Sequence, residues 1–543
     1  MSANIRAALI NDADLGAGNV LWKLIEHGAD PDGLGITFDV AVDGHPAWAG
    51  LTLGQLHERV AARAAWLRQQ GVVARDPVAV YVTTAADTFL SFWALTWLGA
   101  IPALMNPNIA PDVAAEYIRK LRGAGVLADV RHRELLADRD LGPLSLFGGV
   151  AAELGVADAA DAPPPYRHHL DDPIAITHSS GTTRMPTAVV HSHGSLFAAT
   201  RRIRLSAPRA RGTERILSAL PAPHAAGIMT VNHALCNRSD LLFLSRQDDA
   251  AAVLEAVTRW RPSGVFGFAV TWAELARYDL SEYDMSSVSL WFNTGDCAHE
   301  AHIRRLVAVG GREVVTRDGV SRVAGSTFVD GIGSTEMGHS AFYIAHRVDT
   351  NRYGRCVGKA HVFADVAVLD LATGEELPVG TVGHLGLKSP TLAPGYWNDS
   401  VNTYRNRLRG YYLTGDLMYR DEEGYYYHVD RAVDAVDLGD GEWLYTAMSE
   451  ERILRTCPDI RDCTLVAVRV DGRVVTDVLV QLDAKADPSV DRTDEVRAAL
   501  TGPVAATVRN VLVVPDSDLV LGPTGKVRKF LMRQRHLASM GAA

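Results

Sequence analysis

The chain has 543 residues, of which 47% are hydrophobic and 22% are charged, and its formal net charge is −10. This length predicts two or more domains, and the acidic balance argues against a general binder of nucleic acid or anionic membranes. The five cysteines show no Cys-x-x-Cys spacing, which argues against a disulfide framework or a zinc site and favours a reducing cytosol. We therefore expect a folded cytoplasmic protein with no nucleic-acid partner.

The first part of the chain alternates between helical and strand-like patterns. Residues 1–30 lack the long apolar core of a signal peptide. Residues 53–70 place apolar side chains on one face of a helix, and residues 77–82 are typical of a buried strand. Residues 89–105 are uncharged, but a membrane span needs roughly 20 apolar residues. We interpret that stretch as a buried helix followed by a buried strand and expect no membrane span.

The alternation continues to about residue 127 and recurs over residues 215–315, which predicts an α/β architecture with mostly parallel sheets. After about residue 354, short alternating runs with frequent glycine and proline indicate a smaller β-rich subdomain, and from about residue 449 helices and strands mix. We predict a large N-terminal domain, 1–432, of αβ layers and mostly parallel sheets with a β-rich subdomain at about 354–432. A small α+β C-terminal domain, 434–543, follows.

The run from Ser179 to Pro186 is a hydroxyl-rich turn between two strand-like runs. Gly181 allows a close backbone approach, and amides and hydroxyls in such a turn donate to phosphate oxygens. In isolation such a run is more often an ordinary turn. A second glycine-containing run ends in Thr335 and Glu336, which can place a hydroxyl and a carboxylate beside a magnesium–phosphate group, although a glycine hairpin turn is the alternative.

Two further positions stand out towards the C-terminus. Asp416 follows a strand-like run at a tight turn, where a carboxylate can accept hydrogen bonds from both hydroxyls of a ribose. The run from Gly522 to Lys526 is not a P-loop, because its glycine is four residues before the lysine instead of six and Val527 replaces the Ser or Thr that binds magnesium. One lysine on a glycine turn remains, ahead of a basic amphipathic helix.

Taken in this order, these motifs resemble the superfamily of adenylate-forming enzymes, which includes acyl-CoA synthetases, peptide-synthetase adenylation domains and firefly luciferases. The resemblance runs from Leu51 to Lys526 and includes a segment around His224 and an adenine-side turn at 293–297. It implies a two-step reaction. A carboxylate attacks the α-phosphate of MgATP to give an acyl-adenylate and pyrophosphate, and a thiol of CoA or a carrier protein then displaces AMP.

The resemblance also implies roles for individual residues. Lys526 would bridge the carboxylate and the α-phosphate, Thr335 would contact the α-phosphate, and Glu336 would hold magnesium. The implied nucleotide contacts are Ser179, Ser180, Gly181, Thr182, Thr183, Arg184, Gly295, Asp296, Gly331, Ile332, Gly333, Asp416 and Arg431. The small-molecule acid, with aryl acids among the candidates, would contact His224, Phe268 and Gly333. The small C-terminal domain would be mobile and rotate about a hinge at Val433, which carries Lys526 in and out of the site.

The sequence departs from the family pattern at several of these positions. Thr187 stands where the phosphate loop normally has lysine, and we propose that Arg184 restores the charge, because a guanidinium can grip phosphate bidentately. Ile332 replaces an aromatic residue, and Asp430 replaces the glycine before Arg431. These changes leave the second half-reaction open. The alternative is a relative that activates nitrite as a nitrite–AMP anhydride to diazotise an aryl amine, or one that forms an amide.

Overall fold

The computed structural model describes residues 1–149, 157–179, 185–206, 214–317, 319–522, 525 and 527–541, and only the backbone of 539–541. The chain divides into two compact units. Unit 1 comprises Met1–Phe266, Gly333–Ser340 and Ser389–Asn406. Unit 2 comprises Gly267–Ile332, Ala341–Lys388 and Arg407–Ala543.

The helices are distributed over both units. In chain order they are α1 (Ala3–Asn11), α2 (Val20–Glu26), α3 (Leu53–Gln69), α4 (Ala85–Trp97), α5 (Pro111–Leu121), α6 (Val130–Leu136), α7 (Ala198–Thr200), α8 (Ala225–Asn237), α9 (Ala250–Trp260), α10 (Ala269–Leu275), α11 (Glu300–Val307), α12 (Ser400–Arg405), α13 (Thr446–Thr456), α14 (Thr493–Ala499), α15 (Gly502–Ala505) and α16 (Lys529–Gly541). The helix predicted at 53–70 is confirmed as α3, which starts with a capping box between Thr52 and Gln55.

The strands are short and follow one another closely in the second half of the chain. In chain order they are β1 (Leu34–Phe38), β2 (Gly50–Thr52), β3 (Pro77–Tyr81), β4 (Ile101–Met105), β5 (Gly125–Ala128), β6 (Leu146–Gly148), β7 (Pro173–His178), β8 (Ala188–Ser192), β9 (Arg215–Ser218), β10 (Asp240–Phe243), β11 (Gly264–Phe268), β12 (Leu290–Thr294), β13 (Gly311–Thr316), β14 (Gly319–Ala324), β15 (Thr327–Asp330), β16 (Phe342–His346), β17 (Cys356–Ala360), β18 (Asp365–Leu369), β19 (Gly383–Lys388), β20 (Gly395–Tyr396), β21 (Arg407–Leu408), β22 (Tyr411–Arg420), β23 (Tyr426–Arg431), β24 (Val436–Gly439), β25 (Glu442–Leu444), β26 (Ile460–Val470), β27 (Arg473–Leu482) and β28 (Val508–Val513).

Unit 1 is built on sheets with mostly parallel pairing. One sheet has the order β20-β8-β7-β4-β3-β5-β6, in which β3, β4, β5, β6 and β7 pair in parallel and β8 and β20 are antiparallel. A second group, β2-β1-β10-β9-β11, is parallel except for β1 with β2. Residues 89–105 form the end of buried helix α4 and buried strand β4, as predicted.

Among the residues that the structure describes, no helix combines the length and the apolar character that crossing a bilayer requires.

Unit 2 pairs its strands mainly in antiparallel fashion: β16, β17, β18, β19, β22 and β23 form the predicted β-rich region. The C-terminal region contains the three-stranded sheet β26-β27-β28 with helices, packed around residues that include Leu444, Ile453 and Val478. The predicted α/β fold class is confirmed, while the domain boundary at 432–434 stays a prediction.

Candidate active site

The predicted phosphate loop connects β7 to β8 in unit 1. Its residues Ser180, Gly181, Thr182, Thr183 and Arg184 lie outside the described residues. Its two ends are described: Ser179 N donates to the Thr187 carbonyl at 3.0 Å, and Thr187 N donates to Ser179 Oγ at 3.3 Å. These bonds hold the ends of the two strands together, so the loop leaves and re-enters the sheet at one place.

His224 and Thr335 are brought together in unit 1, as expected for two residues predicted to face the reacting groups. His224 is the N-cap of α8, and its Nδ1 accepts from Ala226 N at 3.2 Å. Its Nε2 lies 3.1 Å from Thr335 Oγ1. Because Nδ1 accepts a hydrogen bond, the neutral ring carries its proton on Nε2 and donates to the Thr335 hydroxyl. The pair therefore forms a short, oriented polar contact at the start of α8.

Glu336 offers one free carboxylate oxygen. Its Oε1 accepts from the Tyr396 hydroxyl at 3.2 Å, and Ala393 N donates to its carbonyl at 2.8 Å. Within the described part of the chain no residue bonds to Oε2, and no group of three His, Cys, Asp or Glu side chains could hold a metal. A single half-buried carboxylate fits Mg²⁺, which usually keeps several waters and takes one or two carboxylates together with substrate phosphates.

Asp416, the predicted ribose contact, lies in a buried network of charged groups in unit 2. It sits on β22 directly across from Arg431 on β23. Asp416 Oδ1 is 3.3 Å from Arg431 Nη1 and 3.4 Å from His428 Nε2. Arg355 Nη2 in turn donates to His428 Nδ1 at 2.7 Å and lies 3.5 Å from Asp296 Oδ1.

The electrostatic consequence is an ionised carboxylate on Asp416. Burial by itself raises the pKa of Asp416, but the charge of Arg431 and the contact with His428 outweigh burial and leave the pKa below its usual value. Because Arg355 donates to His428 Nδ1, the neutral imidazole carries its proton on the nitrogen that faces Asp416. Asp416 is thereby oriented to accept further hydrogen bonds from hydroxyl groups.

The predicted adenine-side turn is also ordered within unit 2. Gly295 has a φ of +94°, and a Cβ there would lie 3.1 Å from Phe268 Cδ1, so glycine is required by both conformation and space. Asn293 Nδ2 donates to the Asp296 carbonyl at 2.7 Å and to Asp330 Oδ1 at 2.5 Å. The structure therefore brings Phe268 against Gly295, two residues that the sequence assigned to the substrate and the nucleotide.

The segment after β15 continues from this turn. Gly331 N donates to Asp330 Oδ1 at 2.9 Å, and Ile332 is buried. Burial raises the pKa of Asp330 to about 6, although hydrogen bonds from Asn293 and its neighbours act in the opposite direction. Gly333 belongs to unit 1, where a Cβ would approach Ser340 Cα to 3.3 Å.

The predicted catalytic lysine lies outside the described residues. Thr524 and Lys526 are both outside the described residues, whereas Gly525 between them is described and has a φ of +78°. A second lysine, Lys529 at the start of α16, is half-buried with its Nζ 2.7 Å from Glu450 Oε1 and 2.8 Å from Thr446 Oγ1. Lys529 is therefore committed to the packing of the C-terminal region, and Lys526 stays the predicted catalytic residue.

Sequence reasoning missed two sets of residues. Arg355 and His428 support Asp416, and the hairpin turn between β22 and β23 was the signal that could have placed His428 beside it. Arg204, which is half-buried, and the buried His233 and His339 form a basic cluster in unit 1. No sequence signal marked this cluster, because its members lie on three separate segments of the chain.

Residues 38–397 match the AMP-binding enzyme family. The chain belongs to this family. The AMP-binding enzyme is 43% identical over 564 residues to 3-aminoavenalumate diazotase of a Streptomyces species, with 99% of each chain covered. It is 27% identical over 521 residues to 3-amino-2-hydroxy-4-methoxybenzoate diazotase of Streptomyces cremeus, with 88% of each chain covered.

The fold of the AMP-binding enzyme is similar to that of solved structures over almost its whole length. The crystal structure of the anthranilate CoA ligase AuaEII in complex with anthranoyl-AMP superposes with a TM-score of 0.83 at 20% identity, covering 97% of this chain and 99% of the ligase. The resemblance inferred from the ordered motifs is confirmed. This chain is an adenylate-forming enzyme, an AMP-forming ligase that uses ATP.

Proposed function

We propose that this AMP-binding enzyme is an ATP-dependent diazotase that activates nitrite as a nitrite–AMP anhydride and transfers its nitrogen to an aromatic amine. The observation that carries this proposal is the 43% identity with 3-aminoavenalumate diazotase across 99% of both chains. Both diazotase names denote carboxylates with a 3-amino group. We therefore propose an amino-substituted aromatic carboxylate as the amine.

The first step joins two anions, so positive charge and hydrogen-bond donors contribute most to its rate. A nitrite oxygen attacks the α-phosphorus of ATP, the bond to the β-phosphate breaks, and pyrophosphate leaves. Lys526 would stabilise the charge on the α-phosphate, and Thr335 would donate to the same group. The Asp416 carboxylate would accept hydrogen bonds from the ribose hydroxyls. The ion pair with Arg431 orients this carboxylate.

The half-buried carboxylate of Glu336 would hold Mg²⁺, which supplies positive charge to the phosphates when bound. Its second oxygen has no protein partner in the described part of the chain, and Tyr396 fixes the first at 3.2 Å. This donor set fits a magnesium ion whose remaining ligands are water and phosphate.

In the second step the amine nitrogen attacks the nitrosyl nitrogen, the N–O bond breaks, and AMP leaves with that oxygen. The N-nitroso product then loses water to give the diazonium ion. The sum is ArNH₂ + NO₂⁻ + ATP + H⁺ → ArN₂⁺ + AMP + pyrophosphate + H₂O. The contact between His224 and Thr335 at 3.1 Å suits an orienting role at the reacting groups, and it can pass a proton between imidazole and hydroxyl.

The phosphate loop and the C-terminal region carry the two proposals that rest on sequence alone. Arg184 would replace the lysine missing from the loop, and the domain 434–543 would rotate about Val433 between the two steps. The Arg184→Ala variant should raise the KM for ATP and slow adenylation by about 10-fold or more, as expected for loss of a charge-assisted hydrogen bond. Unchanged steady-state constants in an AMP-release assay would refute the role of Arg184.

The second candidate is ligation of an aryl acid to CoA, which the similarity of the fold to an anthranilate CoA ligase favours. One experiment separates the two functions. AMP release by the full-length enzyme is measured with an amino-substituted aromatic carboxylate in the presence of nitrite, of CoA, of both and of neither. Nitrite-dependent AMP with an azo dye after coupling to a naphthol supports the diazotase. AMP that depends on CoA and not on nitrite refutes it.

A further inference from the structure

Arg204, His233 and His339 are close neighbours in unit 1, although they lie on three separate segments of the chain. The ring centroids of His233 and His339 are 5.8 Å apart, and the charge of Arg204 is near enough to lower the pKa of both imidazoles. Arg204 belongs to a π-helical turn, Arg201–Leu205, a rare conformation that often occurs at functional sites. We refer to these three residues as the basic cluster.

Two nitrogens of the basic cluster, on Arg204 and His233, lack the hydrogen-bond partners that buried polar atoms normally have. Nε2 of His233 and Nε of Arg204 are buried and make no hydrogen bond. His339 uses Nδ1 to contact the Ser340 carbonyl at 2.8 Å. Among the described residues, no carboxylate forms an ion pair with Arg204. Arg204 therefore carries a positive charge with no anionic partner among the described residues, and His233 has one buried nitrogen without a hydrogen bond.

An arrangement of this kind is costly unless something else completes it. A buried donor without a partner costs about 1–3 kcal/mol, and more than about 90% of buried polar groups in native proteins are satisfied. Burial, together with Arg204 and the neighbouring imidazole, lowers the pKa of His233 well below its ordinary value. Burial and Arg204 likewise lower the pKa of His339 to about 4. A bound anion would satisfy Arg204 and the imidazoles together.

The basic cluster lies on the same two chain segments as the His224–Thr335 contact. His224 begins α8 and His233 lies nine residues later, about 13 Å along the helix. Thr335 contacts His224, and His339 follows four residues after Thr335 in the same segment. The same two segments therefore meet twice, once at the His224–Thr335 contact and once at the basic cluster.

We infer that the basic cluster binds the carboxylate of the aromatic amine at the end of the substrate that does not react. This inference rests on the proposed diazotase function, because a CoA ligase would instead present its carboxylate to the α-phosphate. Arg204 can grip a carboxylate with two parallel hydrogen bonds, and the unpartnered nitrogen of His233 supplies a further contact. The cluster thus selects amines that carry an acid and orients the amino group towards His224.

The test compares 3-aminocinnamate with its methyl ester, two molecules that differ in the charge of one group. Equilibrium binding to the full-length enzyme is measured by isothermal titration calorimetry, which requires no turnover. The wild-type enzyme should bind the acid about 10- to 100-fold more tightly than the ester, as expected for charge-assisted hydrogen bonds. Arg204→Met should remove that preference by weakening binding of the acid, and binding of the ester should change less than about twofold by the same argument.

Arg202→Met is the matched control, because Arg202 lies on the same turn but is exposed, and it should leave both affinities unchanged. His233→Gln provides a second variant if Arg204→Met does not fold. Equal binding of the acid and ester by the wild-type enzyme, or equal losses for both ligands in the variants, would overturn the inference. Absence of nitrite-dependent AMP release would instead refute the proposed diazotase function. The measured preference for the acid over the ester would still show whether the basic cluster binds a carboxylate.

Discussion

Two parts of the protein differ in how their charged groups are paired. We call the first, Asp416 with Arg431, His428 and Arg355 in unit 2, the ribose-side network; the second is the basic cluster of unit 1. In the network, Asp416 is paired with Arg431 at 3.3 Å, and His428 is held by Arg355 at 2.7 Å. In the cluster, buried nitrogens of Arg204 and His233 have no hydrogen-bond partner. The charge of Asp416 is therefore paired within the protein, whereas the charge of Arg204 has no carboxylate partner among the described residues.

This difference separates two tasks of an adenylate-forming enzyme. Charges that are already paired hold a carboxylate in a fixed orientation, which suits a part of ATP that is the same in every turnover. Unpaired donors gain most from a ligand that supplies the missing charge, which suits recognition of one particular amine. Variants of the network should therefore affect every amine alike, whereas variants of the cluster should affect only amines that carry an acid.

The largest effect is expected from Asp416→Asn, which removes the charge at the centre of the network. Arg431 and His428 would lose their anionic partner, and the ribose would lose its best acceptor. A hydrogen bond to a charged group contributes about 1.5–3 kcal/mol, and two ribose hydroxyls would lose such a bond, so kcat/KM for ATP should fall about 100-fold or more. The fall should be the same with 3-aminocinnamate and with its methyl ester, as measured by AMP release.

Glu423→Gln is the control for this variant, because Glu423 is an exposed carboxylate on the same hairpin and pairs with Arg352 at 2.8 Å. It should leave the ATP kinetics unchanged. A loss in Asp416→Asn that is confined to the acid substrate would contradict the division between the two regions.

An intermediate effect is expected from Glu336→Gln. The amide keeps the shape of the side chain but loses the negative charge proposed to hold Mg²⁺, so kcat should fall about 10- to 100-fold and the Mg²⁺ concentration for half-maximal rate should rise. Tyr396→Phe is the matched control, since it removes the 3.2 Å hydrogen bond to Glu336 but keeps the carboxylate, and it should cost less than about 5-fold. An unchanged Mg²⁺ requirement in Glu336→Gln would argue against Glu336 as the metal ligand.

The smallest effect is expected for Asp330, a buried carboxylate whose hydrogen bonds do not fully offset the cost of burying its charge. Burial raises the pKa of Asp330 to about 6 from its ordinary value of 3.8. Ionisation of Asp330 therefore lowers the free energy of unfolding, and this destabilisation is complete above about pH 6 and absent below about pH 4. Asp330→Asn should therefore stabilise the protein more at pH 8 than at pH 5, by roughly 1–2 kcal/mol.

The measurement for Asp330 is the difference in Tm between variant and wild type at the two pH values. Asp138→Asn serves as the control, because Asp138 is exposed, and its difference in Tm should not change with pH. A stabilisation by Asp330→Asn that is larger at pH 5 than at pH 8 would show that the ionised form is favoured in the folded state.

Much of the fold could be predicted from local pattern. The apolar face of residues 53–70 predicts α3 to within one residue, and the uncharged stretch at 89–105 separates correctly into a helix and a strand. Ordered motifs likewise predict the family, which the match over residues 38–397 confirms. These predictions succeed because each depends on short-range periodicity or on the order of motifs along the chain.

The supporting residues could not be predicted in the same way. His428 reaches Asp416 only through the register of β22 with β23, which shifts between Leu417 and Met418. The basic cluster joins positions 29 and 106 residues apart, as the chain numbers of Arg204, His233 and His339 show. His233 in helix α8 and His339 in the segment between β15 and β16 carry no sequence signal of their own, so only tertiary packing reveals that the two rings lie close together.

The most direct test of the proposed diazotase follows the oxygen atoms. The enzyme is given ATP, an amino-substituted aromatic carboxylate and nitrite labelled with ¹⁸O, and the AMP is analysed by mass spectrometry. Attack of nitrite on the α-phosphorus and later cleavage of the N–O bond predict one ¹⁸O in the phosphate of each AMP formed with diazonium ion. AMP that is unlabelled by nitrite but acquires ¹⁸O from a labelled substrate carboxylate would contradict the proposal and identify an acyl-adenylate.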